Sequence, residues 1–313
     1  MQSLTVVVPA YNESEGLREF HRRLVAVFDT LDLACTALYV DDGSRDDTFE
    51  VMQSLRAADA RVGTLKLSRN FGKELAMTAG LDHCDADAVV MIDADLQDPP
   101  EVIADFVAKW REGYDVVYGT RSSRAGETAL KKMTSSAFYR VMERLSDKPI
   151  PRDTGDFRLM SRRVVDALKQ VRERQRFMKG LFTWVGYRQF SLVYDRDPRF
   201  AGDTKWNYWR LWNFALEGIT SFSSAPLKLA TYIGFLSAAV AFLFGVWVFA
   251  KAMLFGDAVK GYPSIMVVVL FLGGMQLMAL GVIGEYLGRT YVESKQRPLY
   301  LIDRYEPGSA PPA

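Results

Sequence analysis

Cysteine and histidine are scarce in this chain, and their scarcity sets the first limits. Its 313 residues include two of each. Cys35 and Cys84 form no CxxC pair and no disulfide framework, so both are expected to be small buried hydrophobes in a reducing compartment. His21 and His83 fall in helical patterns without ligand spacing, which argues against a zinc site. Net charge is missing as well: at +1 the chain carries no global field of the kind that marks nucleic-acid binders, and no nucleic-acid partner is expected. Neither a GxGxxG turn nor a GxxxxGK[ST] loop occurs, so the usual dinucleotide and nucleoside-triphosphate fingerprints are absent. No signal peptide is expected, because "MQSLTVVVPAYNE" enters a strand at once.

Two long runs without charge stand out against this balanced background. Lys228 and Lys251 bracket "LATYIGFLSAAVAFLFGVWVFA"; Lys260 and Glu285 bracket "GYPSIMVVVLFLGGMQLMALGVIG". Each is long enough to cross a hydrocarbon core of ~30 Å as a helix, the alternative being a pair of buried helices in a soluble protein. The short link "KAMLFGDAVK" makes them an antiparallel hairpin with both ends on one side. Lys228, Arg289, Lys295 and Arg297 flank the outer ends and the link holds Lys251 and Lys260, a small bias that places both termini in the cytoplasm. Just before the first run, "WNYWRLW" packs four aromatics into seven residues, a pattern that suits an amphipathic helix at a membrane surface or an aromatic cluster against a folded domain. The tail "EPGSAPPA" is expected to be disordered.

Ahead of the hairpin, apolar runs alternate with helical spacing. "LTVVV", "TALYV", "GTLKL", "AVVMI" and "DVVYG" predict strands buried on both faces, and "DFRLM" and "RQFSLVY" predict two more. Helical patterns fill the gaps, including "SRRVVDALKQV". The alternation predicts an α/β fold with a mostly parallel sheet, whose ligands bind beyond the carboxyl ends of the strands. Polar clusters fall at those ends: "PAYNE", "DDGSRDD", "SRNFGK", "DADLQ" and "GTR". Ser44, Asp46 and Asp47 are also good helix caps, but caps alone do not explain polar loops repeated along one edge.

"DADLQDPPE" crowds four acids behind a buried strand. If the stretch is extended, Asp93, Asp95 and Gln97 share one face and offer oxygen donors to a hard cation, Mg²⁺ or Mn²⁺. Asp98 and Glu101 belong instead at the start of the next helix, where negative charge is favourable.

The joint order of "VVPAYNE", "VDDGSRDDT", "SRNFGKELAMTAGL", "DADLQDPPE", "GTR" and "GDFRLMSR" resembles the family 2 glycosyltransferases of the GT-A fold. Within them the chain is similar to the polyprenol-phosphate glycosyltransferases, from about residue 4 to residue 302. The resemblance implies a cytoplasmic catalytic domain over 1–205, juxtamembrane amphipathic helices over 206–228, spans over 229–251 and 263–286 joined by a link over 252–262, and a cytoplasmic tail over 287–313. The expected location is a bacterial plasma membrane, crossed more than once.

Roles follow by position. Pro9, Tyr11 and Glu13 match the family's nucleotide-binding loop; Val40, Asp41 and Asp42 match positions that hold base and ribose. Asp93, Ala94, Asp95 and Gln97 match the diphosphate and metal motif. Arg121 matches a phosphate-contacting arginine, and Arg199 and Lys205 match a pair that closes over the donor diphosphate, here in "GDTK" where the family often has "GESK". Asp156 matches the candidate catalytic acid near the sugar. Lys131, Lys132 and Arg140 lie on a basic helix that suits a lipid phosphate, although such helices also meet anionic headgroups.

The implied reaction moves a hexose, with UDP-glucose the first choice of donor, to polyprenyl (undecaprenyl) phosphate. The leaving nucleoside diphosphate needs positive charge, from metal and basic side chains. The acceptor phosphate, with a second pKa of ~6, is already largely dianionic near neutral pH and needs no strong base. Direct displacement inverts the anomeric centre. GDP-mannose, UDP-N-acetylhexosamine and aminoarabinose donors stay open, as does a catalytically dead nucleotide-binding scaffold. A processive polysaccharide synthase is disfavoured, since "QRFMKG" is not QxxRW. "GGMQLMALG" allows close helix packing, and a homo-oligomer is expected, a tetramer among the arrangements it allows.

Overall fold

Apolar runs that alternate inward on two faces become the strands of one sheet. The computed structural model describes residues 2–121, 154–174, 176–195, 225–255 and 261–309. The elements are β1 (Ser3–Ala10), α1 (Leu17–Phe28), β2 (Ala34–Asp41), α2 (Thr48–Ala58), β3 (Val62–Leu67), α3 (Lys73–Asp82), β4 (Ala88–Met91), a 3₁₀ turn (Pro100–Val102), α4 (Ile103–Arg111), β5 (Val116–Arg121), β6 (Thr154–Ser161), α5 (Arg162–Gln170), α6 (Met178–Trp184), β7 (Gln189–Tyr194), α7 (Ala225–Phe255), α8 (Tyr262–Ser294) and β8 (Ile302–Glu306). Every strand expected from an apolar run is present.

The sheet order is β7-β5-β6-β4-β1-β2-β3-β8. Strands β1 to β4 run parallel, and β5 runs parallel to β7. Between the two groups β6 is antiparallel to both neighbours. Two antiparallel steps restore direction, so β5 and β7 point the same way as β4. The carboxyl ends of all the parallel strands therefore share one edge, the edge on which the polar loops lie.

Alternation along β1 divides the core. Leu4, Val6 and Val8 join Phe20 and Leu24 of α1, Met52 of α2 and Phe106 of α4 in one apolar layer. On the other face α3 packs against β1 and β2, with Met77 fully buried. Burying each large apolar side chain contributes roughly 1.5–3 kcal/mol, which fixes where α3 begins and so where its first residue stands.

The end of the chain departs from expectation. The stretch expected to be disordered begins at Glu306, yet Glu306 closes β8, which pairs antiparallel with β3. Ser68 N–H donates to Leu301 O at 2.9 Å and Ser309 N–H to Ala60 O at 2.8 Å, so the edge of the sheet is covered up to Ser309. Compact units divide accordingly: among the described residues, 297–309 belong with the sheet, and 225–255 with 261–296 belong to the second unit.

In that second unit α7 and α8 pack against each other. They extend beyond the expected spans at both ends and take up part of the expected link. Windows Ala230–Trp247 and Phe271–Ser294 are long and apolar enough to cross a membrane, and 0% of either window is buried. Core helices of a soluble protein would be covered; these present Phe235, Phe242 and Leu277 outward. At 33 residues α8 is ~50 Å long and outruns a bilayer core. Its last turns are polar, with Arg289 bound to Glu285 one turn away at 3.1 Å.

Candidate active site

Register brings two acids together at the carboxyl edge. In the antiparallel ladder of β4 and β6, Met91 stands opposite Arg158. Two residues further on, Asp93 has left β4 and Asp156 lies two residues inside β6, so the same register sets them side by side. The third partner comes from the neighbouring loop. Lys73, the first residue of α3, donates from Nζ to Asp93 Oδ1 at 2.7 Å and to Asp156 Oδ2 at 2.5 Å.

The electrostatics follow from this geometry. Burial works against an ionised Asp156, but the Lys73 and Lys179 ammonium groups outweigh it and hold the carboxyl below the usual range. For Asp93 burial dominates and the Asp156 charge adds to it, so its pKa is raised despite Lys73. Burial also pulls on the Lys73 ammonium, yet Asp156 and Asp93 keep its pKa above that of an ordinary lysine. The side chain of Lys73 is 44% exposed against 10% for Asp156, so a molecule entering from solvent meets Lys73 first.

Other charges surround the trio. Arg158, 5% exposed, donates to Gly155 O at 2.9 Å, and its guanidinium stacks 3.7 Å from the Phe182 ring centre. Burial lowers its pKa to about 10, which still leaves it charged at neutral pH. Glu74 Oε2 accepts the Met178 N–H at 2.8 Å and so ties α6 to α3. Burial, with the Asp156 charge adding to it, raises Glu74 to about 7. The sequence pattern singled out none of Lys73, Glu74, Arg158 or Lys179; the one available signal was a lysine opening a helix, where an acid is the ordinary choice.

The acidic stretch itself is a turn. After Met91 the chain leaves the strand, and Leu96 adopts a left-handed φ of 58°. Strand alternation therefore does not group Asp93, Asp95 and Gln97 as expected, because the backbone is not extended there. Asp95 Oδ1 accepts the Gln97 N–H at 3.2 Å, and both residues are half-buried. Ala94 is 3% exposed, its methyl turned into the core. Beyond the turn, Asp98 Oδ1 accepts the Tyr194 hydroxyl at 2.5 Å and Glu101 pairs with Arg23 at 2.7 Å, so side-chain partners as well as the helix start receive these two acids. Among the described residues no three His, Cys, Asp or Glu side chains are grouped as a metal site.

The expected nucleotide loops lie beside one another along the same edge. Pro9 and Val40 are buried neighbours in β1 and β2, so any ligand there meets backbone and not the valine side chain. Asp41 is fully buried; Oδ1 accepts the Ser44 N–H at 3.0 Å and Oδ2 has no hydrogen-bond partner among the described residues. Asp42 has a structural duty as well. Its two oxygens accept Phe71 N–H at 2.7 Å and Gly72 N–H at 2.9 Å, so one lone pair of each serves the backbone. Tyr11 and Glu13 are half-buried, and the Glu13 N–H donates to Thr48 Oγ1 at 2.9 Å. Asn12 and Ser44 lace the loops together at 3.0 Å, while Asp46 binds Ser14 and Thr48, so much of "DDGSRDD" is structural. Arg121 ends β5 opposite Tyr194 at the same edge. Lys131, Lys132, Arg140, Arg199 and Lys205 lie outside the described residues.

Comparison with known proteins agrees with this architecture. Residues 5–169 match the model of glycosyl transferase family 2, and residues 225–290 match that of the GtrB C-terminal hairpin. An uncharacterized glycosyltransferase of Synechocystis is 52% identical, covering 96% of this chain and 94% of that one. A prophage bactoprenol glucosyl transferase homolog of Escherichia coli is 46% identical, covering 96% and 98%. The bactoprenol glucosyl transferase of Shigella phage SfV is also 46% identical, covering 96% and 97%. Mannosyl-3-phosphoglycerate synthase from Rubrobacter xylanophilus aligns with a TM-score of 0.49 at 17% identity, covering 70% of this chain and 72% of that one. With a matching catalytic sheet, a matching hairpin and relatives aligned along nearly their whole length, this chain belongs to glycosyl transferase family 2.

Proposed function

We propose that the protein transfers glucose from UDP-glucose to a polyprenyl phosphate, with inversion, at the surface of a membrane that holds its C-terminal hairpin. The observation that carries this reading is the Asp93–Lys73–Asp156 cluster at the carboxyl edge of a family 2 sheet, in one chain with two helices long enough to span a bilayer. Relatives named for glucosyl transfer to bactoprenol, a polyprenol, support the choice of sugar and acceptor.

The residues divide the work by position. Asp41 Oδ2, buried and short of a donor, suits a base N–H or ribose hydroxyl, with Tyr11 and Glu13 in the adjoining loop. The carboxylates of Asp93 and Asp95 and the side-chain carbonyl of Gln97 are the oxygen ligands that a hard cation takes, and these residues would hold Mg²⁺ or Mn²⁺. When bound, such an ion neutralises charge on the departing diphosphate. Arg121, Arg199 and Lys205 are assigned to the same diphosphate, and Lys131, Lys132 and Arg140 to the lipid phosphate. Asp156 is assigned to the sugar. A dianionic acceptor phosphate attacks without losing a proton, so no residue needs to serve as a strong base. Both termini are placed in the cytoplasm, and the hairpin is assigned to a homo-oligomer.

A donor screen with the purified full chain, undecaprenyl phosphate and Mg²⁺ or Mn²⁺ tests the reading. A glucosylated lipid from UDP-glucose is expected, with loss of activity on chelation and in Asp95→Ala. Full activity of Asp95→Ala removes the metal assignment; preference for another donor removes glucose.

A further inference from the structure

Lys73 is a cation placed where helix physics disfavours one. The amino end of a helix carries partial positive charge, which welcomes acids and repels lysine. Yet Lys73 is the first residue of α3, and the approach to it is tightly built. Gly72 turns the chain at a φ of 97°, and the buried Asp42 carboxylate accepts the N–H groups of Phe71 and Gly72. Such a break with local preference, supported by the surrounding chain, is typical of functional sites.

Stability does not account for the arrangement. With its side chain 44% exposed, Lys73 forms ion pairs that water screens from one side, and pairs of this kind contribute little to folding. What the pairs do accomplish is geometric. Asp93 hangs from the loop after β4 and Asp156 from β6, and a single ammonium group fixes the distance between them. Without it, two neighbouring carboxylates repel and drift apart. Asp156 has one oxygen on Lys73, and the other, Oδ1, is buried with no hydrogen-bond partner among the described residues. A buried acceptor in this condition calls for a donor, and a sugar hydroxyl is one.

We propose that Lys73 is a positioning residue for the transfer reaction: its ammonium clamps Asp93 and Asp156 into one unit, which leaves Asp156 Oδ1 to accept a hydroxyl of the donor sugar. The proposal rests on the sugar-nucleotide reading above. Lys73 itself takes and gives no proton in it. It acts through the two acids, one assigned to the diphosphate end of the donor and one to the sugar.

The test compares wild type with Lys73→Met, Lys73→Arg, Lys73→Ala, Asp156→Asn and Lys73→Met/Asp156→Asn, each as the full chain in detergent. A misplaced reacting group costs about 100-fold in rate, so kcat of Lys73→Met is expected to fall about that far or further. Its melting midpoint and UDP affinity should stay near those of wild type. Lys73→Arg should recover part of kcat, and added methylammonium should partly restore Lys73→Ala. The double variant should be no worse than the poorer of Lys73→Met and Asp156→Asn. Wild-type kcat in Lys73→Met overturns the proposal, as does a joint loss of melting midpoint and UDP binding in both Lys73→Met and Lys73→Arg. If the wild type uses no sugar nucleotide, the functional reading falls and this proposal with it; an active wild type beside an equally active Lys73→Met removes this proposal alone.

Discussion

Asp42 Oδ1 accepts the backbone N–H of Phe71 at 2.7 Å, and through this bond the end of β2 sets the start of α3. The second oxygen accepts the Gly72 N–H at 2.9 Å. Asp42→Ala leaves both donors without their acceptor, and a lost buried hydrogen bond of this type costs about 1–3 kcal/mol. The melting midpoint should fall. Turnover should fall further than that loss explains, because Lys73 follows directly. Asp42→Asn keeps one acceptor oxygen and should lie between. Melting curves and kcat on the same preparations decide the matter, and unchanged kcat in Asp42→Ala would separate the loop from the site.

The carboxyl-edge architecture was legible because it is written in local pattern: each buried run sits between helical spacings, and each polar cluster follows a run. What stayed hidden depends on contacts between distant residues. Nothing within "RNFGKE" says that the lysine reaches acids 20 and 83 residues away. Asp42 has the chemistry of a ribose ligand, and only the position of Phe71 and Gly72 shows that it also serves the backbone. Strand β8 is short and ends where the stretch expected to be disordered begins, so local pattern did not reveal it. Its register with β3 is set across more than 230 positions, for example Thr64 opposite Glu306, which no periodicity can show. Of the basic residues expected at the phosphates, Arg121 ends β5 at the carboxyl edge, and Lys131, Lys132, Arg140, Arg199 and Lys205 lie outside the described residues.

Strand β8 supports the catalytic sheet after the chain has passed through the hairpin. Truncation after Tyr300 removes the Leu301 acceptor of Ser68 and uncovers the β3 edge. Unpaired edge strands invite association with other chains. The truncated protein should melt lower, aggregate more readily and lose most of its turnover, although both family-matched segments remain intact. Light scattering with a glucosyl-transfer assay measures this, and wild-type behaviour of the truncation would show that β8 is dispensable.

Glu74 gives stability a pH dependence of definite sign. In the fold burial raises its carboxyl to a pKa of about 7, against 4.5 for the free group. The raised value means that its favourable contribution is complete below the unfolded pKa and is lost as pH rises through the folded one. Glu74→Gln resembles the protonated form and keeps an oxygen for the Met178 N–H. The variant should match wild type near pH ~4.5 and be the more stable near pH ~8, by roughly 2 kcal/mol after discount for the part of the side chain open to water. Melting midpoints across that range check the sign; parallel curves for the two proteins would show that Glu74 is not the titrating group.

Gly43 and Gly72 both have positive φ, at 66° and 97°, but their surroundings predict different outcomes on substitution. A Cβ on Gly72 meets nothing within 4 Å, so Gly72→Ala carries only the backbone strain. At φ 97° and ψ 151° Gly72 lies in a region essentially confined to glycine, and an L-residue there costs about 1–3 kcal/mol. A Cβ on Gly43 would lie 2.4 Å from the Arg69 carbonyl carbon and 2.6 Å from Asn70 N. Those are backbone atoms and cannot rotate away, so Gly43→Ala must push apart the loops that follow β2 and β3. Overpacking adds about 1–3 kcal/mol to the strain. The displaced loop is the one that delivers Lys73 to Asp93 and Asp156. Gly43→Ala should therefore melt lower than Gly72→Ala and also lose more kcat per kcal/mol of stability lost. Paired melting and initial-rate measurements test the order, and a reversed order would mean that the crossing of the two loops does not set the position of Lys73.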